Sequence, residues 1–405
     1  MRGAGDQFTV GDRIAFYRRR RGLTQRVLAQ LVGRSEDWLS KIERNERDIR
    51  RLDVLGDVAR ALRVSVGDLL GQPILVEDSQ PQDDDIPAVR DALMSHRRLS
   101  PTLFGQLAGD AIDVGPVITY AEYAWTDYQR GRLGRVIAAL PGLIKSAQTL
   151  EEHSANDHQT WLVSARIHHL TATTLAKIGE ADLAWIAAER AMSAGERSGD
   201  PLALASAARA GTHALLSVGR YDDAMNLGQT AADWLRGRVD DNDPSALSVA
   251  GMLHLRTALA AARHQDRSAA TALLAQAEHA ASRLGRDANY WQTSFGPTNV
   301  QLHRVAASLD LGDVDWVIER GPQIDSSNLP PERWVAHRVE MARAFSYVAR
   351  DDEALTFLLD AEQMAPQIVR HSASVRDTVK TMHRRAKHTS DTPLLGLAER
   401  VRAIA

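Results

Sequence analysis

Four side chains that can carry charge recur at matching intervals in this chain. His169 stands ten residues before Gly179, Arg209 ten before Gly219, His254 ten before His264, and His303 nine before Gly312. Each of those later positions interrupts an Ala- and Leu-rich stretch with helical periodicity. His213 and Trp125 fall one helical turn further along the same face. Imidazole and guanidinium groups on one face form a polar surface. It could take an acidic ligand, a peptide carboxylate or backbone, or another segment of the same chain. The same groups could instead fill hydrated space between helices, and both readings stand.

A second cluster is Tyr290-Trp291-Gln292-Thr293-Ser294-Phe295-Gly296-Pro297-Thr298-Asn299-Val300, followed by His303. Aromatic residues meet a Gly-Pro break, after which Thr298 or Asn299 could cap a helix. Aromatics beside free N–H groups at a helix start can form an anion-tolerant pocket. Trp291 and Phe295 suit a packed core as well. The candidate ligand residues are therefore Trp125, His169, Arg209, His213, His254, Phe295, Asn299 and His303.

No constellation for catalysis is present. The chain has no His-Glu-x-x-His, no Gly-rich phosphate loop, no Gly-x-Ser-x-Gly and no Cys. The adjacent His168 and His169 point to different faces of a helix and make no metal pair by themselves. The expectation is a protein that is not an enzyme and carries neither cofactor nor metal.

Residues 23–44 read as two short helices joined by a tight turn. Thr24 can cap the first, whose apolar face is Leu28, Ala29 and Leu31. Gly33 sits where the chain turns and tolerates positive φ. Ser35 can cap the second helix, with Trp38, Leu39 and Ile42 on its inner side. This is a helix-turn-helix, an arrangement that places its second helix in the DNA major groove.

Residues 9–71 resemble the XRE family, the helix-turn-helix domains of phage repressors and many bacterial regulators. The landmarks are Gly22-Leu23-Thr24-Gln25, Leu39-Ser40-Lys41-Ile42-Glu43, the later stretch from Leu52 to Leu62, and Val64-Ser65-Val66-Gly67-Asp68-Leu69-Leu70. The resemblance implies a lambda-repressor-like fold. It implies DNA-binding residues Thr24, Gln25, Arg34, Ser35, Glu36, Asp37, Ser40, Lys41, Arg44, Asn45 and Arg47. Gln25, Ser35, Arg44, Asn45 and Arg47 suit phosphates, and Lys41 suits guanine acceptors in the major groove. Glu36 and Asp37 depart from a typical recognition helix. A carboxylate there can accept from cytosine N4 or simply favour the helix N-terminus.

Charge agrees with that reading. Residues 1–71 hold 15 Arg and Lys against 10 Asp and Glu, and the remainder holds 34 against 42. A basic module on an acidic body suits phosphate attraction. The run Arg18-Arg19-Arg20-Arg21 ends the first helix and could serve phosphates or lie solvated.

At 405 residues the chain should hold two or three units, and 44% hydrophobic content suffices for ordered cores. No apolar run approaches a bilayer span, and the first residues lack a signal-peptide pattern, so no membrane partner and a cytoplasmic location are expected. Residues 77–85 carry five acids, one Pro and no base, which reads as a solvated linker. The expected organisation is 1–71 helix-turn-helix, 72–88 acidic linker and 89–405 helical repeats.

The repeats show breaks at Arg130-Gly131-Arg132, Ile178-Gly179-Glu180, Val218-Gly219-Arg220, Arg263-His264-Gln265, Leu311-Gly312-Asp313 and Ala349-Arg350-Asp351. The Gly219, Tyr221, Ala224 signature resembles a tetratricopeptide repeat, although the spacing is longer and irregular. The resemblance implies an all-α protein whose C-terminal part is an α-solenoid with a concave inner groove. The stretch Phe295 to Val300, Leu329-Pro330-Pro331-Glu332-Arg333 and Ala342-Arg343-Ala344 look like actinobacterial XRE regulators of this layout. The resulting expectation is a sequence-specific transcriptional regulator of double-stranded DNA. Its repeats form a homodimer and sense a signalling peptide or small molecule. The alternative is a DNA-anchored scaffold whose repeats recruit a partner protein.

Overall fold

The computed structural model describes residues 9–20, 23–47, 49, 52–62, 69, 86–104, 112–153, 157–240, 242–386 and 393–404. The chain divides into two compact units, Met1–Ile86 and Pro87–Ala405. The division falls in the segment expected to be a linker, whose residues 77–85 lie outside the described residues, as do Arg21, Gly22 and 63–68.

The first unit contains α1 (Val10–Arg20), α2 (Gln25–Leu31), α3 (Glu36–Glu43) and α4 (Leu52–Leu62). Thr24 Oγ1 accepts from the Val27 N–H and Ser35 Oγ from the Trp38 N–H, so both expected caps form. Ile14, Leu28, Leu39, Ile42, Leu55, Val58, Leu62 and Leu69 are buried together. At helical spacing those apolar positions give each helix one inner face, which is what holds such short helices in place.

The second unit opens with α5 (Ile86–Leu93) and continues as six helical hairpins. They are α6 (Val114–Gln129) with α7 (Leu133–His153), α8 (His158–Lys177) with α9 (Ala181–Ser198), and α10 (Pro201–Ser217) with α11 (Tyr221–Leu235). Next come α12 (Pro244–Arg263) with α13 (Arg267–Leu284), α14 (Pro297–Asp310) with α15 (Val314–Arg320), and α16 (Pro331–Tyr347) with α17 (Asp351–Met364). Helices α18 (Pro366–His371), α19 (Ala373–Arg385) and α20 (Pro393–Arg400) follow. No strand occurs among the described residues, only two isolated bridges. The protein is all-α.

One turn serves all six hairpins. Gly131, Gly179, Gly219, Gln265, Gly312 and Ala349 have φ of 77°, 86°, 77°, 63°, 87° and 59°. A left-handed residue ends one helix and redirects the chain into its partner. Four of the six are glycine, which takes this conformation without a Cβ clash. Helix starts are equally local: Asp200-Pro201 and Asp243-Pro244 each place an accepting carboxylate before a proline in the first turn.

The first helix of each hairpin packs against the first helix of the next, from α6 through α16, and α16 returns to touch α6. The inner helices therefore close into a ring. This corrects the expectation of an open concave groove. Apolar cores lie within and between hairpins, as at Leu255, Ala258, Leu273, Phe295 and Val300. Helix α12 is long and apolar enough to cross a bilayer by length and composition, but its apolar stretch is mostly buried inside this unit.

Candidate nucleic-acid interface and a charged central cleft

Helix α3 buries Leu39, Ile42 and Glu43 and turns Glu36, Asp37 and Arg44 outward, with Ser40 and Lys41 partly exposed. Arg34 and Arg47 are exposed beside it, and the Arg34 guanidinium sits 5.8 Å from the Trp38 ring centre. The Thr24 and Ser35 hydroxyls are used as caps, yet each keeps its own hydrogen to donate to a phosphate oxygen. Lys41 Nζ is 2.8 Å from Asp37 Oδ2 on the exposed face. Such a pair is worth under about 1 kcal/mol, so it does not hold Lys41 back from a better acceptor. Asp37 lies in the first turn, where its charge suits the helix dipole.

Gln25 and Asn45, read above as suiting phosphates, and Arg18, left open between phosphate and solvent, are instead engaged by partners within the module. Arg18 is buried and donates from Nε and Nη2 to Glu43 at 2.6 and 2.7 Å, with Nη1 donating to the Leu23 carbonyl. Gln25 Nε2 donates to the same carboxylate at 2.8 Å. One bidentate pair thus ties α1, α2 and α3 together. Asn45, at φ 59°, accepts from the Thr9 hydroxyl and reaches Asp12. Arg19 remains exposed.

The axis of the ring in the second unit is polar. A cleft there encloses about 30 Å³ of free volume, room for roughly two water molecules. Four inner helices each contribute a residue and its neighbour one turn on, or nearly so: Trp125 with Tyr128 and Gln129, His169 with Thr173, Arg209 with His213, and Met252 with Arg256. Gln292, Thr293 and Ser294 form one wall, and Glu332 and Arg333 of α16 complete the lining.

Its charges are unbalanced. Glu332, the single carboxylate of the lining, bonds both Arg333 and Lys177, and these partners hold it well below the usual carboxylate range despite burial. Lys177 itself is pushed down to about 8 by burial. Arg209 and Arg256 have no carboxylate partner among the described residues. Burial lowers Arg209 to about 9, with Arg256 adding repulsion, and burial lowers Arg256 to about 10, with Arg333 adding. Arg209 Nη2 donates to His169 Nε2 and to the Trp291 carbonyl, both at 3.3 Å. His169 is then the Nδ1–H tautomer and donates to Ser206 Oγ at 3.1 Å. Burial, then Arg209, holds it well below the usual imidazole range. Burial, then Arg256, does the same to His213. The buried Trp125 Nε1 has no acceptor, and Arg256 makes no hydrogen bond or ion pair among the described residues.

The structure brings together Trp125, His169, Arg209 and His213 of the expected ligand residues. It does not bring the other four to the cleft wall. His254 turns toward the Arg236 and Asp233 side, and burial holds it at about 4. Counting back from a turn without glycine misplaces the face of α12, whose lining residues are Met252 and Arg256. Phe295 is fully buried against Gly251, where a Cβ would stand 2.0 Å from its ring. Asn299 is also fully buried, with Nδ2 3.5 Å from Met252 Sδ and the Thr293 carbonyl. His303 bonds the Asn299 carbonyl at 2.9 Å behind the wall. Within the same segment it is Gln292 to Ser294, just before Phe295, that line the cleft. Tyr128, Arg256 and Glu332 were missed. The signal that could have found Arg256 is the four-residue spacing repeated on successive inner helices, and Tyr128 and Glu332 carry no such spacing.

His168 faces Glu151 at 3.7 Å while its neighbour His169 faces the cleft, so the two do point apart. Among the described residues no group of three His, Asp or Glu is placed to hold a metal ion.

Residues 9–70 match the family described as helix-turn-helix domain. The N-terminal unit is a DNA-binding helix-turn-helix domain of the kind found in regulators. No curated protein and no solved structure matches the chain.

Proposed function

We propose that this protein is a sequence-specific transcriptional regulator of the XRE type. It acts in the cytoplasm, binds double-stranded DNA as a homodimer, and senses a small signal through a tetratricopeptide-like repeat domain. The observation that carries the DNA reading is the capped α2–turn–α3 pair, whose outer face offers Ser40, Lys41 and Arg44 while its inner face is locked by Leu39 and Ile42. A dimer reads two half-sites when its recognition helices stand about 34 Å apart. A ligand regulates only by preferring one arrangement of the two heads over another. The closed polar ring supports sensing, since a merely structural core would be apolar at its axis.

The test is titration of a selected duplex by fluorescence anisotropy at several salt concentrations. Lys41→Ala should cost about 1–3 kcal/mol and relax preference at one base position if Lys41 reads a base. Equal weakening on all duplexes, with a shallower salt slope, would assign it to phosphate instead. A second reading, a DNA-anchored scaffold whose repeats recruit a partner protein, is favoured by the exposed Leu99, Leu103 and Phe104.

A further inference from the structure

We infer that the central cleft binds a phosphate-sized dianion between Arg209 and Arg256, with the Trp125 indole N–H as a third donor. This names the ligand class of the sensing reading and rests on it. Three observations converge. Among the described residues Arg256 is a guanidinium that lines the cleft with no hydrogen-bond or ion-pair partner, and Arg209 has only a neutral imidazole and a carbonyl. Trp125, 3% exposed and lining the cleft, has an unused donor. Glu332, the one carboxylate of the lining, is already shared by two other cations.

Two guanidiniums without counter-charge ask for two negative charges. Phosphate supplies between one and two at neutral pH, a phosphomonoester about 1.5 to 2, and a pair of guanidiniums favours the doubly charged form, whose oxygens match the guanidinium fork. The free volume admits a small oxyanion in place of water, and anything esterified to it would have to lie at the cleft mouth.

The cleft wall would feel such an anion. Trp291, Gln292 and Ser294 have φ of 52°, 51° and 50°. Three non-glycine residues so close together in the left-handed region are a strained wall that its surroundings must hold. The Arg209 bond to the Trp291 carbonyl is one of the holding contacts, with Gln129 to Asn289 and Arg166 to Gln292. An anion that takes Arg209 competes with that carbonyl and loosens the wall.

The experiment is thermal unfolding and isothermal titration of the full chain with inorganic phosphate, a phosphomonoester such as glycerol phosphate, and acetate, against chloride at equal ionic strength. Phosphate should raise the melting temperature by several degrees and bind with one site per chain. A response to inorganic phosphate alone identifies the free ion as the source. A stronger response to the phosphomonoester identifies a phosphorylated small molecule. Arg256→Met should abolish the shift while keeping a cooperative transition, and Arg256→Lys should restore part of it. No shift beyond chloride, an equal shift with acetate, or an unchanged shift in Arg256→Met overturns the inference. The same titration repeated with the selected duplex separates the two readings. Phosphate binding that leaves duplex affinity unchanged keeps the anion site and removes the sensing role.

Discussion

Both units bury arginine, and they do so in opposite ways. In the head, Arg18 meets a bidentate carboxylate, and a carbonyl and a glutamine complete the set. In the ring, Arg209 and Arg256 face each other's repulsion across a cleft with no carboxylate of their own. The first arrangement is satisfied and fixes three helices. The second leaves cationic capacity unspent where solvent is nearly excluded. A buried charge with its partner present is a structural clamp, whereas one without it marks a place for something that arrives.

Acid should separate the two units most widely. The head holds no histidine, since the first in the chain is His96. The ring holds His169 and His213 well below the ordinary 6.5, and His303 at about 3, chiefly through burial. An imidazole with a depressed folded pKa costs nothing above 6.5 and destabilises as pH falls from there toward its folded value. At pH 5 His303 alone costs on the order of 2 kcal/mol, and His169 and His213 add to the loss in the same direction. Circular dichroism melts from pH 7 to 5 should show the repeat unit failing well before the head. Parallel losses in both units would remove the contrast.

Breaking the clamp comes next. Glu43→Ala leaves Arg18 buried without its carboxylate, keeping only the Leu23 carbonyl, and should cost the head about 3–5 kcal/mol by denaturant titration. The paired change Arg18→Met with Glu43→Leu should recover much of that. In the ring the sign reverses. Arg256→Met removes a half-buried cation that has no ion-pair partner among the described residues and should raise stability, on the order of 1 kcal/mol, in phosphate-free buffer. A loss of stability there would mean that the guanidinium is held by contacts of its own. The smallest effect belongs to the exposed pair. Asp37→Ala frees Lys41 and removes a charge that repels phosphate, so duplex binding should tighten by roughly 0.5 kcal/mol, with only a small fall in melting temperature from the lost dipole contact.

What was legible in the sequence divides along the same line. The caps at Thr24 and Ser35 and the six hairpin turns depend on residues within four positions of each other, so they could be read directly. Gln265 and Ala349 turn the chain as the glycines do, and the flanking pattern revealed them even without glycine. The Arg18 and Glu43 clamp joins residues 25 apart, and in sequence Arg18 was one of four arginines in a row. The ring closure joins α6 to α16, and no local pattern encodes it. The register of α12 does not follow the count from its turn, because Met252 and Arg256 stand 13 and 9 residues before Gln265 whereas His169 and Thr173 stand 10 and 6 before Gly179. His254 stood in for Arg256 by that slip of two residues.

The account stands most directly on what the head does with DNA. Selection from a randomised duplex pool by the full chain, followed by competition against unselected duplex at physiological salt, measures it. Enrichment of a two-fold symmetric sequence, bound at least a hundredfold more tightly than the competitor and weakened by Lys41→Ala, is the predicted result. A chain that binds all duplexes alike, or none, contradicts it.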